Sequence, residues 1–188
     1  GFQNDSWKMI IIGLGTAGFG NILLGMVINF LGEDNSMVQN SYEMLNSAFT
    51  STTTFQMIVQ ILVVVIIAPI VEEYLFRGYV FKECKKLYSL ITSVVLNGLL
   101  FGVFHMNLLQ GINTFFFAIV LSLIYYYRSN IKDNIIVHMT NNAAAVLPMV
   151  FPDLINALSI TMIISVFIGL LLLVRICKSE SNKYDYNL

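Results

Sequence analysis

Two adjacent carboxylates and an arginine stand immediately behind a long apolar run. Glu72, Glu73 and Arg77 in VEEYLFRGYVF follow FQMIVQILVVVIIAPI with no turn residue between them. The chain has only two histidines, His105 in FGVFH and His138 in HMTNN, and both lie on later apolar runs beside the amides Asn97, Asn141 and Asn142. An ionisable group at the centre of a membrane helix costs roughly 2.5–3.5 kcal/mol on insertion scales, so such residues mark function by default. Carboxylate and imidazole together suit two kinds of chemistry. One is general acid–base activation of a water, and the other is coordination of a metal with an open position.

Helical spacing sorts these groups. Glu73 and Arg77 are four residues apart with the acid first, the favourable orientation for an ion pair on one face. Glu72 projects about 100° round the helix from Glu73, which leaves one carboxylate for arginine and the other available. Pro69 removes a backbone hydrogen bond just before them and predicts a kink. Phe101 and His105 share a face, as do His138 and Asn142, while Asn141 points away. Three segments thus each contribute a polar face. Singly, each has a plainer explanation: an interfacial charge cluster, a hydrogen-bonded buried histidine, a His/Asn bridge between helices. Their convergence on three neighbouring segments is what those explanations leave out.

The elements that must position them are membrane helices. The chain is 57% hydrophobic and 11% charged, against about a quarter charged in a soluble domain. Runs of about 20 apolar residues predict six spans at roughly 7–31, 55–80, 90–108, 111–128, 132–151 and 153–176, an all-α polytopic fold. With the N-terminus cytoplasmic, nine of the ten basic residues fall on inside segments, and the tenth is Arg77 within a span. The outside segments hold Glu33, Asp34, Glu43 and Asp153, so the positive-inside bias puts both termini in the cytoplasm. Trp7 and Tyr125-Tyr126-Tyr127 fit interfacial belts. One integral membrane domain is expected over 1–188, with residues 177–188 a flexible cytoplasmic tail. By residue count His105 falls further from the cytoplasmic face than Glu72 and His138, so the three meet only if 82–92 is interfacial or re-entrant.

Other signals exclude alternatives. A net charge of −1 implies no nucleic acid, and Cys84 and Cys177 make neither a CxxC pair nor a disulfide framework. Gly13, Gly15 and Gly18 have the G-x-G-x-x-G spacing of a dinucleotide fingerprint. No sheet-forming pattern follows, however, and small residues in a membrane helix allow close helix contact instead.

E-E-x-x-x-R at 72–77, F-x-x-x-H at 101–105 and H-x-x-x-N at 138–142, in this order on successive hydrophobic segments, resemble the CPBP family of intramembrane proteases. That family includes the type II CAAX prenyl endopeptidases and the bacterial Abi proteins. The words EEYLFRGYVF, LNGLLFGVFHM and YYRSNIKDNIIVHMTNNAA carry the likeness over about 70–145. The resemblance implies peptide-bond hydrolysis within the membrane near its cytoplasmic side. Glu72 would be the general base, working with His105 on a water, while His138 and Asn142 stabilise the oxyanion. Glu73, Arg77 and Phe101 would support the local structure. No cofactor is required by this form. A zinc-dependent form would use Glu72, His105 and His138 as ligands.

The implied partners are the lipid bilayer, a small membrane-associated peptide or lipidated protein as substrate, and further membrane proteins that select it. The short chain and its Ile-, Asn- and Lys-rich vocabulary point to a bacterial cytoplasmic membrane as the expected location. Two other classes compete: a non-catalytic immunity or binding factor of the same fold, and an ion-coupled carrier, for which no internal repeat is found.

Overall fold

The computed structural model describes residues 3–48 and 53–185, and every regular element among them is helical. In chain order these are α1 (Lys8–Leu31), α2 (Ser36–Ala48), α3 (Thr54–Leu62), α4 (Ala68–Leu75), α5 (Lys82–Leu87), α6 (Leu90–Phe104), α7 (Leu108–Arg128), α8 (Ile131–Val150) and α9 (Ile155–Asp185). Two π-helical segments, Val63–Ile67 and Phe76–Phe81, join α3 to α4 and α4 to α5. Thr54–Leu87 is therefore one helical run of 34 residues.

Among the described residues four helical runs are long and apolar enough to cross a membrane: Lys8–Leu31, Thr54–Leu87, Leu108–Arg128 and Pro152–Ser179. The protein is a multi-pass membrane protein. Two of the six expected spans differ from these four. The hydrophobic run 90–108 contains a turn at 105–107, so α6 has only 15 residues and reaches about 22 Å at 1.5 Å per residue. The 20 residues of α8 include Lys132, Asp133, Asn134, His138, Asn141 and Asn142, which lower its apolar character. The interfacial segment expected at 82–92 is α5, a continuation of the long helix, followed by a break at Tyr88 and Ser89. The α9 helix runs on to Asp185, and 186–188 lie outside the described residues.

Local chemistry sets the boundaries. Thr53 and Gln56 form a reciprocal capping box at the start of α3. Ser89, Asn107 and Asn130 cap α6, α7 and α8 through their side-chain oxygens. Ser129 turns the chain after α7 in the left-handed region, at φ 49°.

The glycines that imitate a nucleotide fingerprint lie on α1, which packs mainly against α9 and α8. A Cβ on Gly13 would stand 2.7 Å from the Val137 carbonyl oxygen, and one on Gly18 would stand 2.7 Å from that of Met162. One on Gly15 would clash with the Ser165 carbonyl. Their absent side chains let the backbones touch. We therefore expect Gly18→Ala to cost about 1–3 kcal/mol by overpacking against rigid backbone. Gly25→Ala on the same helix meets nothing within 4 Å and serves as the control. Melting temperatures in matched nanodiscs check this.

An ionic cluster ties the N-terminal segment to the α7–α8 turn. Arg128 Nη2 donates to Asp5 at 2.7 Å and its Nε to the fully buried Asp133 at 2.5 Å, while Ser6 Oγ donates to Asp133 at 2.6 Å. The Arg128 guanidinium holds the Asp5 carboxyl down at about 2, against 3.8 ordinarily. A carboxyl lowered on folding stabilises the protein above its unfolded value and loses that contribution as pH falls through the folded one. The Asp5 contribution is thus complete above about pH 4 and gone below about pH 2. It amounts to no more than about 1 kcal/mol, since the carboxylate is 35% exposed and screened. Acid unfolding of Asp5→Asn against wild type measures it: the two curves should converge below pH 2 and separate above pH 4.

Candidate active site

The segment that carries the carboxylates lies between the two π-helical segments. In the first, the Ala68 N–H reaches back five residues to the Val63 carbonyl. In the same register the Val64 carbonyl would face residue 69, whose proline nitrogen has no hydrogen to donate. Asn142 Nδ2 donates to the Val64 carbonyl instead, at 2.9 Å. At the start of the second π segment, Asn97 Nδ2 donates to the Phe76 carbonyl at 2.9 Å, and Asn97 Oδ1 accepts from Ser122 Oγ at 3.1 Å. Each widened turn is thus held by an asparagine from another helix. Single π turns inside helices are frequent at functional sites, and here they bracket α4, which presents Glu72 and Glu73.

Glu73 is fully buried and accepts three hydrogen bonds. Its Oε1 takes Arg77 Nη1 at 2.9 Å and His138 Nδ1 at 2.8 Å, and its Oε2 takes Asn134 Nδ2 at 3.2 Å. Arg77 is also fully buried; its Nη2 reaches the Ala118 carbonyl at 3.4 Å and its guanidinium lies 4.7 Å from the centre of the Phe101 ring. A buried carboxylate and guanidinium in contact are both ionised, which makes Glu73 an acceptor only. The proton of the His138–Glu73 bond is accordingly on Nδ1, and His138 turns Nε2 the other way. That nitrogen faces Glu72, with Nε2 3.6 Å from Oε2. The rings of Phe101 and Phe117 meet the imidazole edge-on at 5.9 and 5.1 Å and fix its plane. Glu72 is 18% exposed and makes no hydrogen bond with the described residues.

The predicted residues therefore divide. Glu72, Glu73, Arg77, Phe101 and His138 come together. His105 meets this group at Phe101: it caps the short α6 and donates Nδ1–H to the Phe101 carbonyl at 2.8 Å, its ring 4.9 Å from that of Phe101, and it makes no hydrogen bond or ion pair with Glu72, Glu73 or His138 among the described residues. A carbonyl only accepts, so His105 likewise keeps Nε2 for other partners. Asn142 is committed through one amide hydrogen to Val64 and retains the second. Sequence reasoning missed Asn134, although Asn134 and His138 have the i,i+4 spacing used for the other pairs. It also missed that Glu73 holds His138 as well as Arg77.

The zinc alternative needs Glu72, His105 and His138 around one point. Among the described residues no group of three or more His, Cys, Asp or Glu side chains is placed to hold a metal ion. Glu72, His105 and His138 are thus not assembled as a ligand set among the described residues.

No curated protein and no solved structure matches the chain. The model of the family described as Type II CAAX prenyl endopeptidase Rce1-like matches residues 54–144. The match begins at the helix leading into the first π segment and ends two residues past Asn142, so it spans both π segments, both carboxylates and both histidines. It points to a protease. Over residues 54–144 this membrane protein is similar to the Rce1-like type II CAAX prenyl endopeptidase family.

Proposed function

We propose that the protein is an intramembrane endopeptidase in which Glu72 activates the water that attacks the peptide bond. The observation that carries this reading is the imidazole of His138 between two carboxylates, one fixed by Arg77 and one, Glu72, that makes no hydrogen bond with the described residues and faces Nε2 at 3.6 Å. Glu72 takes a proton from water, the water oxygen bonds to the scissile carbonyl carbon, and negative charge develops on the carbonyl oxygen. His138 Nε2, when protonated, and the second amide hydrogen of Asn142 donate to that oxyanion. Preorganised donors in a water-poor site are worth several kcal/mol of barrier. The C–N bond then breaks and Glu72 passes its proton to the departing amine. His105, through Nε2, shares the water with Glu72 once substrate closes the site.

The substrate class is a small membrane-associated peptide or a lipidated protein, cut near the cytoplasmic side of a bacterial cytoplasmic membrane. Both termini are cytoplasmic in this reading, which follows from the positive-inside bias. Partner membrane proteins select the substrate.

The test uses wild-type protein in nanodiscs with short membrane-associated candidate peptides, and mass spectrometry to find a new N-terminus. Cleavage that survives a chelator supports the reading. Binding of the peptide without cleavage replaces it with the non-catalytic factor, and cleavage abolished by chelator and restored by zinc replaces the water-only mechanism.

A further inference from the structure

The glycines of the G-x-G-x-x-G run on α1 serve close packing, but the run also carries one polar side chain, Thr16. A Cβ on Gly13 would stand 2.7 Å from both the Val137 carbonyl oxygen and Thr140 Cβ, so α1 meets α8 at backbone distance about one turn before Thr16. That approach brings Thr16 to Asn141, the amide whose place on α8 points it away from the His138–Asn142 face.

The direction of each hydrogen bond here follows from one end. The Val64 carbonyl only accepts, so Asn142 presents Nδ2 to it, at 2.9 Å, and turns its Oδ1 the other way. Asn141 Nδ2 donates to that oxygen at 3.4 Å, although neighbouring side chains on a helix ordinarily diverge. Asn141 Oδ1 then faces Thr16 Oγ1, which donates to it at 3.1 Å. The same hydroxyl lies 2.8 Å from the Gly13 carbonyl, so its one hydrogen sits between two acceptors. The order is Thr16, Asn141, Asn142, Val64, running from α1 through α8 to the first π segment. A reversed Asn141 amide would set its oxygen against that of Asn142 and turn its nitrogen to Thr16. A donor at Thr16 favours the orientation observed.

We infer that Thr16, acting through Asn141, is a positioning residue for Asn142 and fixes the direction of the amide hydrogen that Asn142 donates to the oxyanion. The role rests on the proteolytic reading, in which that hydrogen has this task. Rotation of the Asn142 amide by half a turn would exchange its N–H donors for an oxygen, and an acceptor facing developing negative charge opposes the reaction. Val64 and Asn141 hold the amide from its two ends against that rotation. A hydrogen bond accepted at Oδ1 also polarises the amide and strengthens donation from its nitrogen. Thr16 lies outside residues 54–144, so this contribution comes from a helix that the family match does not include.

The experiment measures kcat and KM in nanodiscs for a membrane-associated peptide that wild-type protein cleaves, with melting temperatures recorded. Thr16→Val keeps the shape of the side chain and removes the hydroxyl. It should lower kcat about tenfold, the lower end of what outer partners of a site residue contribute, and leave KM and the melting temperature near those of wild type. Thr16→Ser should restore most of the rate. Asn142→Ala should lower kcat by about 10²–10³. Adding Thr16→Val to Asn142→Ala should cost nothing further, because a residue that acts through Asn142 then has nothing to position. An unchanged kcat in Thr16→Val overturns the positioning role and leaves the proteolytic reading standing. Losses that multiply in the double variant overturn it as well, since Thr16 then serves the fold. Wild-type protein that binds the candidate peptides and cuts none of them overturns the proteolytic reading, and this role with it.

Discussion

Glu73→Leu is expected to destabilise the protein by about 3–5 kcal/mol, the usual result of breaking a buried ion pair by removing one partner. Arg77 is fully buried, and its guanidinium would be left with the Ala118 carbonyl and the face of Phe101 alone. His138 Nδ1 and Asn134 Nδ2 would lose their acceptor in the same step. Removing both charges together is a different experiment. Glu73→Leu with Arg77→Leu leaves no isolated charge, and replacing a buried pair by apolar residues is often neutral. The double variant should therefore regain most of the lost stability while its proteolysis stays impaired, because nothing fixes the His138 tautomer. Guanidinium or thermal unfolding of the single and double variants checks the first half, and peptide cleavage checks the second. Activity returning with stability would show that Glu73 serves the fold alone.

Glu72→Gln should do the reverse. Loss of a positioned general base lowers a rate by about 10²–10⁴. Glu72 makes no hydrogen bond with the described residues and keeps part of its surface exposed, so the variant should melt within about a degree of wild type. The contrast between neighbouring residues is the informative part: one carboxylate is needed for stability and orientation, the other for chemistry.

How much of this could be read in advance follows from what each feature depends on. The polar faces depend on helical periodicity, which is local, so Glu73 and Arg77 were legible as same-face neighbours from spacing alone. The glycine run on α1 was legible as packing because composition had already removed the sheet that a nucleotide fold requires. That His138 would stand with the carboxylates came from the family resemblance and not from spacing. It stands 65 residues beyond Glu73 and reaches both carboxylates only through the packing of α8 against α4, which no local pattern encodes. The short α6 was hidden because hydropathy runs on through the turn at His105–Asn107, so the third span was overestimated and His105 was expected at the carboxylates. Pro69 announced an irregular helix. That it would take the π register, with Asn142 supplying the hydrogen that proline lacks, depends on a residue 73 positions later in the chain.

The claim that Glu72 activates the attacking water is tested most directly by the single-turnover rate of peptide cleavage by Glu72→Gln, measured beside wild type in the same nanodiscs with both melting temperatures recorded. The account predicts a rate lower by at least about a hundredfold at an unchanged melting temperature. A rate within threefold of wild type would contradict it.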